Sequence, residues 1–510
     1  MQKIIQNIIL ITTIIIYTII LLFSFFYDSN TYYNDKTLLS IIFSIITLII
    51  WSIIYIFINK KIKNITKKGG VIFLIIYFIL VSIIQYVVLK QLSVEPSWDF
   101  GVVFADAEHY ALNGIRSTSY PEYFQLFPNN IMLFVLFLIF IKLGLIFNIK
   151  PLISGYIMNV IFIDIALLLI YLTIKNIKNR KNAIFGLILT FSFLPLFLYT
   201  PIIYSDTLSL FIPIMFIYLY SKIEKKEILT KKNIIISIIM GILLFLGKEI
   251  KVTSLIIFIA IIIGYILNNF KIKKFVPIII SFIIFLVCEL SFKAIIVNNN
   301  NFKFKINDSG SIPITHWIMM GVEDVDRDNS NRNSYGGYNE LDYITTEKYQ
   351  TKTEKIKYNV NEYFNRVNKM GVIGYSNYLV HKSINTWTDG YYFSNIKLSL
   401  KPKNKDSKLY QLLNVDEKTT SIFRSYTQGV QYALIVTIII GCILKLKQKN
   451  TNLDYIRLTL LGLVIFFLFW ENRSRYIFNY IPMFILIIDE FYYIIYDKIV
   501  LKEQEKNIII

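Results

Sequence analysis

Two aspartates, Asp99 and Asp106, stand seven residues apart in the polar stretch "SWDFGVVFADAEHY" (97–110), which is flanked by long apolar runs. If the stretch is helical, seven residues make two turns and the carboxylates share a face. His109 follows Asp106 by three residues, on nearly the same side, and Gly114 ends the helix. Paired carboxylates that water can reach suit a general base taking the proton of a hydroxyl acceptor. The competing reading is structural: Asp99 caps a short helix and Asp106 is solvated.

Four other stretches carry polar groups where few are expected. "EYFQLFPNNIML" (122–133) places Asn129 and Asn130 just before an apolar run, as positioning groups or as caps. "IIYSDTLSLFIP" (202–213) puts Asp206 in or beside a span. A carboxylate at mid-membrane costs about 2.5–3.5 kcal/mol on insertion scales, so it needs a partner or a polar cavity. "FLGKEIKVTSL" (245–255) sets Lys248 and Lys251 between two spans, and "FWENRSRYIFNYIP" (469–482) does the same with Arg473 and Arg475. Cations of this kind hold phosphate through charge-assisted hydrogen bonds. The alternative is that they snorkel as interfacial anchors. His316, in "PITHWIMMG" (313–321), is a further basic candidate.

The elements that must position these groups are membrane helices. The chain has 510 residues, is 55% hydrophobic, and contains 40 Phe and 36 Tyr; its mean hydropathy is +0.55. A soluble domain cannot hide that much apolar surface, so the class is an all-α polytopic membrane protein. Apolar runs near 4–26, 39–59, 70–89, 131–147, 152–174, 183–199, 202–221, 233–247, 251–267, 275–296, 430–446, 456–470 and 476–496 imply about 12–13 transmembrane helices. The first run exceeds a signal-peptide core and no small-residue cleavage site follows it, so it reads as a retained span.

The net charge of +19 sits mainly in short loops, where it orients the chain. "KKIKNITKK" (60–68), "KIEKKEILTKK" (222–232), "KIKK" (271–274) and "KLKQK" (445–449) all favour the cytoplasm. "KNIKNRK" (175–181) conflicts with them if 131–147 and 152–174 both cross fully. An odd number of crossings between 131 and 174 removes the conflict. Residues 90–130 and 297–428 then face outward.

Four regions follow: an extra N-terminal span pair with its basic loop (1–69), a core with an outer loop at 90–130 (70–296), an extracytoplasmic α or α+β module (297–428), and the C-terminal spans (429–510). Within the module, 344–370 reads as an amphipathic helix with Ile356, Val360 and Phe364 at helical spacing. No nucleic-acid motif, Walker loop or dinucleotide fingerprint is present. "DVDRDNSN" (324–331) has Asn329 where a calcium loop needs glycine, and Tyr335 where it needs glutamate. The three histidines are dispersed, and Cys288 and Cys442 lie in apolar runs as thiols. No metal site and no cofactor is firmly implied; a divalent cation has no support in the sequence.

"WDFGVVFADA", "YFQLFPNN", "YSDTLSL", "GKEIKVT", "HWIMMG" and "NRSRYIFNYIP" in this order resemble the GT-C membrane glycosyltransferases, in particular the bacterial branch related to dolichyl-phosphate-mannose protein mannosyltransferases. The resemblance covers roughly residues 70–485. It implies transfer of a sugar from a polyprenyl-phosphate carrier to an envelope glycan or protein acceptor, on the outer face of the plasma membrane. It assigns the base to Asp99 with Asp106 as second carboxylate, and the donor phosphate to Lys251 and Arg475, with Lys248, Arg473 and His316 as lesser candidates. Asn129, Asn130, Asp206 and His109 would position the acceptor. The family's acidic residues are often adjacent, whereas these are seven apart. Two other classes fit a many-span chain with large outer loops: a polymerase of O-antigen type and a non-enzymatic flippase of lipid-linked sugars. A flippase predicts inverted repeats, and none is visible.

Overall fold

A computed structural model describes residues 2–27, 36–62, 64–117, 122–223, 230–267, 275–304, 310–322, 335–448 and 454–509. Lipid offers no partner to a bare peptide group, and the apolar runs accordingly close their own hydrogen bonds as helices. The N-terminal part comprises α1 (Gln2–Phe23), α2 (Thr37–Lys61) and α3 (Lys67–Leu92), then α4 (Asp99–Asn113), the short α5 (Tyr123–Leu126), α6 (Ile131–Ile146) and α7 (Pro151–Ile177). Next come α8 (Arg180–Leu189), α9 (Pro195–Leu198), α10 (Ser205–Leu208), α11 (Phe211–Lys222), α12 (Lys231–Ile250), α13 (Ile256–Leu267) and α14 (Val276–Phe292). The module holds α15 (Ile314–Met320), α16 (Glu340–Glu347), α17 (Lys352–Trp387), α18 (Ser394–Leu400) and α19 (Lys408–Asn414). Then α20 (Glu417–Leu446), α21 (Tyr455–Phe469) and α22 (Ile481–Ile509) complete the chain.

Among the described residues, nine helical segments are long and apolar enough to cross a membrane, and α13 and α21 are shorter apolar helices. The runs expected at 183–199 and 202–221 are interrupted. A 3₁₀ turn at 190–192 and Pro195 break the first, and α10 and α11 divide the second. Asp206 therefore opens α10 instead of lying at mid-span. The described part of the module is helical, without the strands that an α+β module would have; one isolated bridge joins Val94 to Pro402.

Hydrogen bonds between loops resolve the charge conflict. Arg180 Nη1 donates to the Ile65 carbonyl (3.1 Å) and Lys181 Nζ to the Asn59 carbonyl (3.3 Å). The basic loops 60–68 and 175–181 thus share one end of the molecule, the basic end. Lys178 and Asn182 join Asp489 there at 2.9 and 2.8 Å, and Arg457 and Lys445 pair with Glu490. Segment 271–274 and most of 222–232 lie outside the described residues, as does 324–331.

The irregular run is α6. Phe137 rests on Phe104 of α4 (5.5 Å between ring centroids), and Lys142 lies over the Tyr110 ring (5.5 Å). Gly144, near its far end, is pressed on Ser154, and the next residue of α7, Gly155, is pressed on Phe104. Phe134, in the first turn, meets the Tyr110 ring (6.0 Å), so both ends of α6 stay beside α4. α7 runs from Tyr156, whose hydroxyl donates to the Val94 carbonyl (2.8 Å), to Lys178 at the basic end.

The amphipathic helix expected at 344–370 is two helices. Thr351 begins α17 with a capping box, accepting from Glu354 N (3.3 Å) while Glu354 accepts from Thr351 N (3.0 Å). Its apolar stripe is turned outward: Ile356, Val360 and Phe364 are exposed, and Lys355, Asn359 and Arg366 are buried. The inward face is polar because every group on it finds a partner. Arg366 makes a fork to Asp342 (2.9 and 2.6 Å) and Lys355 donates to the Gly310 carbonyl (2.8 Å).

Candidate active site

The site lies at the end opposite the basic loops, where α4, α10, the α12–α13 junction, α18 and the turn before α22 meet. Asp99 is the first residue of α4, and Trp98 holds the cap position without a side-chain bond. The cap role considered for Asp99 is therefore not what the structure displays. The residue keeps solvent access while protein atoms surround its carboxyl group, and Tyr123 is hydrogen-bonded to it. Asn130 Nδ2 donates to the Tyr123 oxygen (2.7 Å), which leaves the phenol proton for Asp99, and Asn129 Nδ2 fixes the Asn130 amide by donating to Oδ1 (3.2 Å). Protein atoms crowding Asp99 raise its pKa from the usual carboxylate value; Arg475, Lys397 and the Tyr123 bond oppose this. Tyr338 and Tyr343 of the module stand within electrostatic reach of it.

Asp106 has a different environment. One oxygen accepts from Arg116 Nε (2.8 Å) and the other from the Ser117 amide (2.6 Å). Arg116 also lies over Phe124 (4.7 Å) and Phe304 (4.9 Å) and reaches the Phe302 carbonyl (3.4 Å). Asp106 thus fastens the loop after α4 to the segment after α14. His109, through Nδ1, engages the Ile115 carbonyl (2.9 Å) and stays on that loop.

Asp206 is fully buried and gathers two of the predicted cations. Lys251 Nζ bonds to Oδ1, and Arg475 Nη1 donates to Oδ2 (3.2 Å). Arg475 also donates to the Tyr476 hydroxyl (3.1 Å), which donates to Glu471 (2.8 Å). Its guanidinium lies 4.5 Å from the ring centroids of both Tyr204 and Tyr476. The residues expected to hold phosphate are thus brought together with the intramembrane aspartate as their counter-charge. Arg473 comes with them: it lies over Phe393 (5.1 Å) and packs on Gly337, and it has no hydrogen bond or ion pair among the described residues.

Two candidates are elsewhere. Lys248 pairs with Glu249 (2.8 Å) and with Glu289 of α14. His316 is buried inside the module, with Nδ1 at 2.9 Å from the Thr346 hydroxyl, and burial pushes its pKa down to about 4. A neutral, enclosed imidazole holds no phosphate.

The family model described as "conserved hypothetical integral membrane protein" matches residues 1–492. The chain belongs to this family. No curated protein and no solved structure matches it.

The most informative site residue in this family member is one that the sequence does not single out. Lys397, on α18, is 2% exposed, and its ammonium has no hydrogen-bond partner among the described residues. It lies 3.5 Å from the Trp98 ring centroid and 4.0 Å from that of Tyr204. Burial and the neighbouring Arg475 lower its pKa, while Asp206 and Asp99 pull the other way. The turn that delivers α18 is fixed by Asp389, which accepts from the Tyr391 and Phe393 amides (3.0 and 3.1 Å) and from Ser474 Oγ (2.6 Å). Gly390 within it abuts the Thr427 carbonyl so closely that a Cβ would lie 1.9 Å from the oxygen. One lysine among 53 basic residues gives no local sign of this placement.

Proposed function

We propose that this protein is a membrane glycosyltransferase that moves a sugar from a polyprenyl-phosphate carrier to an envelope acceptor on the outer face of the plasma membrane. The observation that carries the reading is the placing of Asp99 within electrostatic reach of Lys397 and Arg475, with Arg473 beside Lys397, where neither Lys397 nor Arg473 makes an ion pair or hydrogen bond among the described residues. A carboxylate for the acceptor proton and unclaimed positive charge for a leaving phosphate are what this reaction needs side by side. The basic end belongs in the cytoplasm by the positive-inside trend, which puts the site outside.

In this reading, Asp99 takes the acceptor hydroxyl proton as the oxygen attacks the anomeric carbon. The bond from that carbon to the phosphate oxygen breaks, and its electron pair leaves with the polyprenyl phosphate. One displacement inverts the anomeric centre. The donor is a phosphodiester with one negative charge, whereas the departing monoester gains a second, so cations aimed at it stabilise the transition state more than the ground state. Lys397, Arg473 and Arg475 meet that charge. Lys251 and Asp206 fix Arg475, and Tyr123, with Asn129 and Asn130 behind it, orients Asp99. Asp106 secures the loop and takes no proton.

The test is incubation of the purified protein with radiolabelled polyprenyl-phosphate sugars. Transfer or hydrolysis that disappears in Asp99→Asn supports the reading. Movement of intact donor across a vesicle membrane without turnover replaces it with the flippase.

A further inference from the structure

A cavity of about 650 Å³ opens at Trp98, within the size range of small-molecule sites. Its lining includes Glu95, Trp98, Val102, Asp106, Glu108 and Lys401. We propose that it is a carbohydrate subsite that takes a neutral or amine-bearing sugar and rejects an anionic one. As the acceptor's place it rests on the transfer reading above; as a sugar site it stands on its own geometry.

The walls are built before any ligand arrives. Val94 and Pro402 form an antiparallel bridge, with Glu95 N donating to the Lys401 carbonyl (3.0 Å) and Lys403 N to the Ser93 carbonyl (2.9 Å). Gly101 lets α4 approach this wall; a Cβ there would lie 2.9 Å from the Pro96 carbonyl oxygen. Trp98 is held at φ 55°, a left-handed conformation that a bulky residue adopts only under constraint from its surroundings. Its indole is 48% exposed, with the Lys397 ammonium lying 3.5 Å over the ring.

Those features specify a ligand. An exposed indole offers a flat apolar face to the C–H side of a pyranose. The carboxylates only accept hydrogen bonds, so the ligand must bring donors, either hydroxyls or ammonium groups. Charge narrows the choice. Arg116 neutralises Asp106, and Lys403 reaches Glu95 over 3.4 Å at the exposed rim. Neither Glu108 nor Lys401 has an ion pair among the described residues, but Lys401 is exposed and screened by solvent whereas Glu108 is half-buried, so an anionic sugar meets the less screened charge. Trp98 precedes Asp99 in the chain, so the cavity and the proposed base share the start of α4.

The experiment is saturation-transfer NMR on the full chain in nanodiscs, with three soluble probes: chitotriose (neutral), its fully deacetylated trimer (cationic) and trigalacturonate (anionic). The first two should bind and the third should not. Trp98→Ala should weaken binding about tenfold or more, Trp98→Phe should keep it within about threefold, and Glu108→Lys should admit trigalacturonate. Equal binding of all three probes, binding of none, or indifference to Trp98→Ala with normal thermal unfolding overturns the proposal. Donor transfer and hydrolysis are measured separately on the same samples. Sugar binding with neither transfer nor hydrolysis of the donor sinks the transfer reading alone, and donor turnover without sugar binding sinks the subsite alone.

Discussion

Arg475 Nη1 stands 3.2 Å from Asp206 Oδ2, across 269 positions of sequence, and Lys251 closes on the other oxygen of the same buried carboxylate. One anion is thus shared by two cations at the junction of α10, α12 and the turn before α22. Removing it leaves both cations uncompensated in a region that excludes water. Asp206→Asn should cost about 3–5 kcal/mol, read as a large drop in the thermal unfolding midpoint in detergent. Adding Lys251→Met to that variant should restore part of the loss, because only Arg475 then lacks its counter-charge. Two independent, additive losses would show that the three groups do not act as a unit.

Asp99→Asn should leave folding intact and reduce sugar transfer by about 10²–10⁴-fold, with donor affinity near normal. Asp106→Asn should do the reverse. It breaks the bond to Arg116 and loosens the loop against Phe302, so stability falls before catalysis does. Kinetics and unfolding curves on the two variants separate the roles, and the pattern fails if Asp99→Asn is active.

The raised pKa of Asp99 makes two statements about pH. As a base it must be ionised, so transfer should climb as pH rises through a value above the ordinary 3.8 and then level off. For stability the sign is opposite. Folding favours the protonated form, so this group's favourable contribution is present at low pH and lost as pH rises through the folded-state value. Asp99→Asn should therefore unfold at the same temperature as the wild type at pH 7, or higher, and lose that advantage in acid. A pH–rate profile paired with pH-dependent melting checks both.

Lys397→Met removes a buried ammonium that has no hydrogen-bond partner among the described residues and keeps an apolar chain against the Trp98 and Tyr204 rings, so the variant should be as stable as the wild type or more so near neutral pH. The sign follows from its lowered pKa: the unfolded chain binds the proton more tightly, and stability gains as pH rises. Donor use should nevertheless weaken by about 10–100-fold, the worth of a lost hydrogen bond to a charged group. Lys397→Arg should recover part of it. A variant that is more stable and equally active would make Lys397 a packing residue.

The sequence displays the apolar runs, and with them the helical class, because each must satisfy its own peptide groups in lipid. It also exposes Asp206, Lys251 and Arg475, since charges beside spans are costly enough to stand out. Their mutual contact is not legible, because it joins residues 45 and 269 positions apart. Lys397 and Trp98 escape notice for a different reason: their chemistry comes from the ring–ammonium contact, and neither residue type is unusual in a polar loop. The stripe Ile356, Val360 and Phe364 misleads because periodicity assumes that apolar faces point inward, whereas here the Arg366–Asp342 fork fills the interior.

The path of α6 decides on which side the later loops lie. By length and composition it is a span, yet its contacts at Phe137, Lys142 and Gly144 all return it to α4 and the start of α7. Asn148, in the turn after α6, is exposed, as are Asn113 at the end of α4 and Lys60 at the basic end. In a Cys288→Ser background, single cysteines at these three positions can be probed in intact cells with a membrane-impermeant maleimide; the remaining Cys442 is buried. Asn148→Cys and Asn113→Cys should label from outside, and Lys60→Cys only after permeabilisation. If Asn148→Cys behaves like Lys60→Cys, α6 crosses the bilayer, the loop 175–181 moves to the outer side, and its bonds to Asn59 and Ile65 cannot exist. If Asn113→Cys is protected while Lys60→Cys labels, the whole bundle is inverted, Asp99 faces the cytoplasm, and transfer to an acceptor outside the cell is impossible.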